Sequence, residues 1–421
     1  MEKLLVSGGS RLSGSVRISG SKNSSLPILA ATLLSEEPCT IHNVPDLSDT
    51  NYMVQILSTL GARVEMDNGT VRVQSREISS QAPYDLVRKM RASVCVLGPM
   101  LARKGEAFVS LPGGCVIGDR PIDLHLRGLE ALGAEVEVKG GDIRVSAPEG
   151  LKGAKVNMRG QYGSTVLGTD NVMMAAVFAE GTTIIESAAA EPEVEDLAMF
   201  LNALGARIEG AGTRKIVIHG VDSLSGAEHV VIPDRIEAGT FMIAGMIAGD
   251  GIVLENVRSG HLTSLIDSLR GSGHTVDVQD DDTIHVSAST SPEANEVTTE
   301  PYPGFPTDMQ AQMCALYATT PGISLITETV FPNRFMHVSE LKRMGANINL
   351  KDSMAVIRGV DQLSAAPVMA SDLRASAALV LAALGADGTT EINRLYHIDR
   401  GYENIDQKLR SLGAELHRVN E

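Results

Sequence analysis

The sequence predicts an α/β protein built from six copies of one β-α-β-α-β-β unit, with three copies in each of two domains. The first observation is a recurring motif: a leucine, two variable residues, a Leu, Met or Ser, a glycine, and then Ala or His. Successive motif glycines are 72, 72, 68, 72 and 68 residues apart. Such fixed-period self-similarity indicates repeated supersecondary units. The motif glycines are Gly61, Gly133, Gly205, Gly273, Gly345 and Gly413.

Each motif glycine is predicted to follow the last turn of a helix. Glycine adopts a left-handed backbone conformation without the steric cost that a side chain brings, and it is therefore common at this position. This position after a helix explains why the glycine recurs, and it predicts one capped helix in each of the six units.

The second observation is the order of the other elements in a unit. A short strand comes first, for example residues 15–18 or 155–158, and a polar loop follows it. Ala-rich apolar helices come next, expected within residues 25–34, 92–102, 238–248 and 375–383. Second strands are expected at residues 40–41, 107–109, 182–185, 251–254, 323–326 and 389–392. A hairpin closes the unit after the capped helix, with turns such as residues 67–69, 139–141 and 280–282.

The two ends of the chain indicate how the units group into domains. The sixth unit ends early, with a single strand after its motif, while residues 3–7 form a spare strand at the N-terminus. We infer that this strand completes the sixth unit. One domain then spans residues 22–229, and a discontinuous second domain comprises residues 1–21 and 230–421. Two chain crossings of this kind suit closure around a ligand, and the active site is expected in the cleft between the domains.

Composition excludes several classes of function. The 421 residues are 43% hydrophobic and 21% charged, with a formal net charge of −16. That charge argues against nucleic acid or an anionic membrane as the main partner. The four cysteines form no CxxC pair and no disulfide framework, which fits a reducing cytoplasm. The N-terminus lacks a signal-peptide pattern, and the most apolar run, residues 241–247, is too short to span a bilayer. Nothing in the sequence indicates an obligate protein partner.

Residues 111–125 are predicted to form a shaped loop, because they contain three glycines and two prolines. The loop carries one thiol, Cys115, and one guanidinium, Arg120. A thiol near a fixed positive charge can have a lowered pKa and act as an acid or a nucleophile. The alternative is a buried, inert cysteine, as most free cysteines are.

Charged residues recur at the predicted helix starts of both domains. Lys22 stands at a predicted helix N-terminus, where its positive charge opposes the helix dipole. A phosphate or carboxylate bound there would offset this repulsion. The alternative is a solvated lysine, and each of the other residues could singly be a helix cap or a surface charge. Together they suggest a cleft suited to two anionic substrates. These residues are Arg91, Arg120, Asp234, Arg235, Asp308, Arg334, Asp372, Arg374 and Arg400.

Five motifs at these positions resemble those of the UDP-N-acetylglucosamine 1-carboxyvinyltransferases, a family of enolpyruvyl transferases. They are spread over nearly the whole chain, which makes the resemblance specific. The motifs are Gly-Ser-Lys-Asn at 20–23, Pro-Gly-Gly-Cys at 112–115 with Arg-Pro-Ile-Asp-Leu at 120–124, Gly-Phe-Pro-Thr-Asp-Met-Gln-Ala-Gln at 304–312, Asn-Arg-Phe-Met at 333–336 and His-Ile-Asp-Arg-Gly at 397–401.

The resemblance implies a two-domain inside-out α/β barrel and a defined reaction. The family transfers the enolpyruvyl group of phosphoenolpyruvate to the 3′-hydroxyl of UDP-N-acetylglucosamine, releasing phosphate through a tetrahedral intermediate, at the start of peptidoglycan synthesis. Cys115 matches the family cysteine, seen as a general acid and as the residue that adds covalently to phosphoenolpyruvate, and its alkylation by fosfomycin is expected to inactivate the protein. Asp308 matches the family aspartate close to the 3′-hydroxyl, and burial by domain closure would raise its pKa into a range useful for a base. No metal or organic cofactor is expected, because positioning and fixed charge can carry this chemistry.

The remaining site residues are also assigned by resemblance. Lys22, Arg120 and Arg400 match cations that bind phosphoenolpyruvate, and Lys22 and Arg400 are counted with the catalytic residues. Residues expected to bind substrate or to organise the closed cleft are Asn23, Arg91, Arg334, Asp372 and Arg374. A segment expected to contact the uridine end comprises Pro121, Ile122, Asp123, Leu124 and His125.

The chain departs from the family pattern in two places. Ser24 and Ser25 replace a small apolar pair after the Gly-Ser-Lys-Asn motif, without an expected effect on function. The segment 160–172 differs from the shorter nucleotide-binding loop that the family commonly has there. Within it, Ser164 and Gly168 are the candidate uridine-side contacts.

Three other readings of the sequence stay open at this point. The sister enolpyruvyl transferase acts on shikimate 3-phosphate, but it lacks the cysteine loop. A catalytically retired paralogue that binds a sugar nucleotide would not need to keep both Cys115 and Asp308. A generic ligand-binding repeat protein would release no phosphate, so a turnover assay separates it from the transferases.

Overall fold

A computed structural model describes residues 2–82, 84–111 and 122–420. The α-helices are α1 (Lys22–Ala31), α2 (Ser48–Thr59), α3 (Tyr84–Val87), α4 (Leu97–Lys104), α5 (Asp123–Ala131), α6 (Val166–Ala176), α7 (Pro192–Ala203), α8 (Arg235–Ala248), α9 (Thr263–Gly271), α10 (Gln310–Tyr317), α11 (His337–Arg343), α12 (Leu373–Leu384) and α13 (Ile405–Ser411). Short 3₁₀ segments lie at Thr32–Leu34, Arg91–Val96, Ser259–His261, Thr307–Met309 and Leu395–Arg400.

The strands are short and occur along the whole chain. They are β1 (Glu2–Ser7), β2 (Leu12–Arg17), β3 (Cys39–His42), β4 (Arg63–Asp67), β5 (Thr70–Gln74), β6 (Glu106–Ser110), β7 (Glu135–Lys139), β8 (Asp142–Ser146), β9 (Lys155–Asn157), β10 (Arg159–Gly160), β11 (Gly163–Ser164), β12 (Thr182–Glu186), β13 (Arg207–Glu209), β14 (Lys215–His219), β15 (Glu228–Val230), β16 (Gly249–Glu255), β17 (Thr275–Val278), β18 (Thr283–Ser287), β19 (Glu296–Thr298), β20 (Ile323–Thr327), β21 (Asn347–Lys351), β22 (Met354–Arg358), β23 (Pro367–Met369), β24 (Thr389–Asn393) and β25 (Glu415–Asn420).

The described residues divide into two compact units. The inserted unit comprises residues 20–82, 84–111 and 122–232, and the discontinuous unit comprises residues 2–19 and 233–420. Each unit has its own hydrophobic core. None of the helices in these ranges is both long enough and apolar enough to cross a membrane.

The discontinuous unit contains three four-stranded sheets of one design. Their strand orders are β17-β18-β16-β2, β19-β20-β22-β21 and β23-β24-β1-β25. In each sheet one edge pair is parallel, and the remaining pairs are antiparallel. β1 pairs with β24 on one side and with β25 on the other, so that Leu4 lies opposite Ile392 and Arg418. The prediction that the N-terminal strand completes the sixth repeat is confirmed.

The inserted unit repeats the design with smaller variations. Its sheets have the orders β15-β3-β5-β4, β6-β8-β7 and β13-β14-β12-β9, and β10 and β11 form a separate hairpin. In the second repeat a single parallel bridge between Gln81 and Phe108 stands where the other repeats have a first strand.

The assignment of residues 15–18 as the first strand of the first repeat is wrong. β2 pairs in parallel with β16, in the sheet of the fourth repeat, and β15 pairs in parallel with β3 of the first repeat. Each of these strands precedes a point where the chain passes between the units, at residues 19/20 and 232/233. Each strand therefore pairs within the unit that the chain is leaving, and not with the repeat that follows it in the sequence.

The six motif glycines all have positive φ angles, between 81° and 109°. In every copy the N–H of the residue after the glycine donates to the carbonyl of the motif leucine, over 3.0–3.2 Å; in the first copy this bond joins Ala62 to Leu57. The glycine N–H donates to the next carbonyl, as Gly61 does to Ser58. This is the Schellman arrangement that satisfies the last carbonyls of a helix. The predicted caps are confirmed, and the motif leucines are buried beneath them.

Helices occupy the interior of each unit and sheets form the outside. In α8, α10 and α12, and in α1 and α6 of the inserted unit, nearly every side chain is buried. A helix that is apolar on all faces needs neighbours all round. The strands instead alternate buried positions with half-buried or exposed ones, as in β14 and β18, so each sheet covers the helices with one face.

We expect Gly345→Ala to lower the free energy of unfolding by about 1–2 kcal/mol, the cost of placing a side chain in the left-handed region. A Cβ atom at Gly345 meets nothing within 4 Å, so the φ angle of 96° is the only penalty. Gly260 is the matched control, since its Cβ would also be unobstructed and its φ lies outside that region. Urea unfolding of both variants measures the difference, and equal stabilities would contradict the cap argument.

Candidate functional site

In the discontinuous unit the predicted site residues gather around Asp308. This residue lies in the 3₁₀ turn Thr307–Met309, directly before α10. One carboxylate oxygen, Oδ1, is 2.7 Å from Nη1 of Arg334, and Oδ2 is 3.0 Å from Nη2 of Arg374. Both arginines are buried. Three residues from distant parts of the sequence thus form one charged cluster.

Two opposing effects determine the protonation state of Asp308. Burial raises the pKa of its carboxyl, but the charges of Arg374 and Arg334, together with their hydrogen bonds, bring that pKa well below its usual value. In the described structure the arginine charges outweigh burial, and the expectation for a carboxyl buried by domain closure stays a prediction. Asp308 is ionised at neutral pH, so it can accept a proton, although a lowered pKa makes it a weak base.

Arg374 lies in the first turn of the interior helix α12, and Asp372 caps the same helix. The Asp372 carboxylate accepts hydrogen bonds from the backbone N–H groups of Arg374 and Ala375, over 2.9 and 3.0 Å. This acceptor stabilises a helix start that carries a buried cation. The guanidinium carbon of Arg374 also lies 5.4 Å from the centre of the Tyr402 ring, which supports the cation from another side.

Arg400 closes the 3₁₀ segment Leu395–Arg400 and is half-buried. Arg394 lies directly before this segment and has a φ of 64°. This left-handed conformation turns the chain sharply out of β24. Burial, followed by the charge of Arg400, lowers the pKa of His397. His397 is therefore neutral near pH 7.

In the inserted unit Lys22 begins α1 and is 8% exposed, so the reading as a solvated lysine is wrong. Its Nζ atom is 2.7 Å from Oδ2 of the buried Asp49. The carboxylate offsets the unfavourable position of a cation at a helix N-terminus. Ser21 caps the helix by accepting from the N–H of Ser24 over 3.3 Å.

Asn23, the next predicted site residue, is half-buried, and the two serines after it are fully buried. The Ser24 hydroxyl donates to Oδ2 of Asp196, whose other oxygen lies 2.9 Å from Nε2 of His229. The Ser25 hydroxyl donates to the Ser21 carbonyl over 2.8 Å. Ser24 therefore ties the start of α1 to α7 and, through Asp196, to β15, while Ser25 bonds within its own helix start.

Arg91 and His125 belong to neighbouring segments of the inserted unit. Arg91 begins the 3₁₀ segment Arg91–Val96, and His125 lies in the first turn of α5. Nδ1 of His125 is 2.9 Å from the Asn171 amide nitrogen, so the ring accepts there. Burial, followed by the charge of Arg91, lowers the pKa of His125 to about 3. The imidazole is neutral and serves as a packed hydrogen-bond acceptor.

The other residues predicted at the uridine end have different environments. Ile122 is buried, Leu124 is half-buried and Asp123 is exposed. Ser164 lies in the β10–β11 hairpin. Gly168 lies in the first turn of α6, and its N–H donates to the capping hydroxyl of Thr165 over 3.2 Å. That bond gives Gly168 a place in the helix start.

Cys115, Arg120 and Pro121 lie outside the described residues. The other three cysteines, Cys39, Cys95 and Cys314, are buried, and burial raises the pKa of each thiol. These three thiols are therefore inert at neutral pH. Within the described ranges, no group of three or more His, Cys, Asp or Glu side chains is arranged to hold a metal ion.

Several partners of the site residues were not singled out by sequence reasoning. Asp49 pairs with Lys22, Tyr402 lies against Arg374, and Asp196 accepts from Ser24. Asp49 stands at the start of α2, where an acidic residue is common, so that position alone did not mark it. The partnerships depend on tertiary contacts between segments far apart in the sequence.

Comparison with known proteins places this architecture among the enolpyruvyl transferases. The structure of the enolpyruvyl transferase NikO from Streptomyces tendae superposes with a TM-score of 0.90 at 28% identity, covering 100% of this chain and 99% of that one. EPSP synthase from Acinetobacter baumannii gives a TM-score of 0.78 at 18% identity, with 100% of both chains covered, which shows the shared fold. The predicted α/β fold class is confirmed.

Sequence comparison identifies the family. A family model described as EPSP synthase (3-phosphoshikimate 1-carboxyvinyltransferase) matches residues 6–409. The chain is 62% identical over 420 residues to UDP-N-acetylglucosamine 1-carboxyvinyltransferase of Akkermansia muciniphila, covering 100% of this chain and 99% of the relative. It is 53% identical to a second such protein from Carboxydothermus hydrogenoformans, with 100% of both chains covered. The chain belongs to the UDP-N-acetylglucosamine 1-carboxyvinyltransferase family of enolpyruvyl transferases.

Because His125 has a folded-state pKa of about 3 and an ordinary unfolded value near 6.5, the unfolded state binds the proton between these values. The stability that the neutral ring confers is complete above about pH 6.5 and is lost as the pH falls toward 3. Lowering the pH from 7.5 to 5 should cost wild type about 2 kcal/mol more than it costs His125→Gln. Urea unfolding at both pH values tests this, and an equal pH dependence in the two proteins would contradict it.

Proposed function

We propose that this protein transfers the enolpyruvyl group of phosphoenolpyruvate to the 3′-hydroxyl of UDP-N-acetylglucosamine and releases phosphate. The observation that carries the proposal is the ionised Asp308, placed between Arg334 and Arg374 at the start of an interior helix. A reaction that removes a proton from a hydroxyl while handling two anionic substrates needs a carboxylate and fixed cations together. The full-length relatives that carry the transferase name support the same substrates.

The reaction proceeds by addition and elimination. The 3′-hydroxyl adds to C2 of phosphoenolpyruvate and loses its proton, while C3 gains a proton to become a methyl group. The tetrahedral intermediate then expels phosphate and returns a proton from C3, which regenerates the double bond. The chain's part is to supply an acid for C3, a base for the hydroxyl, and cations for the phosphate and carboxylate groups.

The residues divide these tasks. Asp308 receives the hydroxyl proton, and Cys115 protonates C3. Lys22, Arg120 and Arg400 bind the anionic groups of phosphoenolpyruvate. The remaining residues bind the sugar nucleotide or hold the binding groups in place; these are Asn23, Arg91, Pro121, Ile122, Asp123, Leu124, His125, Ser164, Gly168, Arg334, Asp372 and Arg374.

Asp308 has a weak affinity for protons while both arginines hold it, which suits a base that acts only in the transition state. When anionic substrate groups draw on the arginine charge, the pKa of the carboxyl rises toward its ordinary value. Substrate binding would thereby strengthen the base at the moment it is needed. The protein would act in the cytoplasm, where peptidoglycan precursors are made, without a metal, an organic cofactor or a protein partner.

Phosphate release from phosphoenolpyruvate, with and without UDP-N-acetylglucosamine, tests the proposal. We expect release that requires the sugar nucleotide, and a loss of about 10²- to 10⁴-fold in kcat for Asp308→Asn and for Cys115→Ser. Glu130→Gln is the control, because this exposed carboxylate of α5 is assigned no role in binding or proton transfer. Release with shikimate 3-phosphate alone would assign the sister reaction, and no release with either acceptor would refute the proposal.

A further inference from the structure

A buried glutamate lies behind the Asp308 cluster and takes no part in the proposed chemistry. Glu328 follows β20 directly and is 0% exposed. Its Oε1 atom accepts from the Thr299 hydroxyl over 2.7 Å and from the backbone N–H groups of Val330 and Phe331 over 2.8 and 2.9 Å. Its Oε2 atom accepts from the Thr307 hydroxyl over 2.8 Å. Burying a charged carboxylate costs free energy of desolvation, and the four hydrogen bonds offset that cost while they fix the position of the group.

The Thr307 hydroxyl connects the Glu328 carboxylate to the charged cluster through hydrogen bonds. Nη1 of Arg334 donates to the Thr307 oxygen over 3.1 Å and to Oδ1 of Asp308 over 2.7 Å. A guanidinium can only donate, so the Thr307 oxygen must accept from Arg334 and the Thr307 O–H must donate to Glu328. The direction of every hydrogen bond from Glu328 to Asp308 is therefore fixed.

Glu328 also holds the loop that carries Arg334. It accepts hydrogen bonds from the backbone N–H groups of Val330 and Phe331, which lie four and three positions before Arg334. One carboxylate thus fixes both the start of this loop and the hydroxyl that the tip of the Arg334 side chain meets. Orientation by such paired restraints places a charged group more tightly than a single hydrogen bond.

We propose that Glu328 is a positioning residue for enolpyruvyl transfer, which acts through the Thr307 hydroxyl to hold the Arg334 guanidinium against Asp308. This inference rests on the proposed function only in that Asp308 is taken as the group that receives the substrate proton. Glu328 itself touches no substrate. Its effect is on the geometry of the pair, which a small displacement would spoil.

Two substitutions of Thr307 test the relay, because one removes the hydroxyl and the other keeps it. Thr307→Val keeps the shape and removes both hydrogen bonds, and we expect kcat to fall about 10- to 100-fold with each KM changed by less than about threefold. Thr307→Ser keeps the hydroxyl and should retain kcat within about threefold. Thr299→Val is the matched control: it removes another donor to Glu328, together with the acceptor of the Thr329 N–H, and neither bond involves the Arg334 side chain. It should leave kcat within about threefold.

A double-mutant cycle separates a relay from general loosening of the fold. Glu328→Gln should lower kcat by about as much as Thr307→Val, and adding Thr307→Val to it should cost little more, because one connection is broken in both. Fully multiplicative losses would overturn the proposal. So would a Thr307→Val protein whose kcat matches that of wild type, or a Thr307→Ser protein as impaired as Thr307→Val.

A crystal structure of Thr307→Val tests the inference even if the proposed reaction proves wrong. The proposal predicts that the Arg334 guanidinium moves by about 1 Å or more from its place beside Asp308, with the Glu328 backbone contacts kept. An unmoved Arg334 would refute the positioning role whatever the turnover assay shows. Conversely, a moved Arg334 in a protein that releases no phosphate would refute only the proposed function.

Discussion

The ion pair that Asp308 makes with Arg334 and Arg374 is the constraint on which the rest of the discontinuous unit depends. Two guanidinium groups that share one carboxylate repel each other, and each would be costly to bury without it. Their positions are therefore supported by further contacts: Asp372 caps the helix that carries Arg374, and Thr307 accepts from Arg334. The charged cluster and the helix starts around it stabilise one another.

The repeat architecture explains why charged side chains can be placed so accurately. Each unit surrounds interior helices with sheets, so helix N-termini are fixed by packing on every side of the core. Lys22 in the inserted unit and Arg374 in the other share one arrangement: a buried cation in the first helical turn, paired with a carboxylate. The fold thus supplies equivalent, rigid positions for anion-binding groups, and the chemistry depends on which residues stand there.

Local sequence signals predicted the repeats well, because their physical cause is local. A glycine at the end of a helix and a leucine four residues earlier are sufficient to specify the cap, and all six caps formed as expected. The spare N-terminal strand also found its place, since the sixth unit had one strand too few. The pairing of β2 with β16 and of β15 with β3 was missed, because parallel pairing with a distant strand leaves no mark in either segment.

The chemistry of the site was predictable in its residues but less so in their states. Residue types at helix starts pointed to Asp308, Arg334 and Arg374, yet the sign of the pKa shift of Asp308 followed from two contacts across the fold. In the same way, the burial of Lys22 depends on Asp49. The competition between burial and charge is decided by distances of a few ångströms, which the sequence does not contain.

The most direct test of this account is the titration of Asp308 itself. The protein is labelled with 13C at the side-chain carboxyl carbon of aspartate, and Asp308→Asn assigns the signal. The chemical shift of that carbon measures the protonation of the Asp308 carboxyl in the ligand-free state. The account predicts that the carboxyl stays ionised throughout the range above its ordinary pKa of about 4, because both arginines hold it. A titration midpoint above about pH 5 would show that burial outweighs the arginine charges, and it would contradict the account.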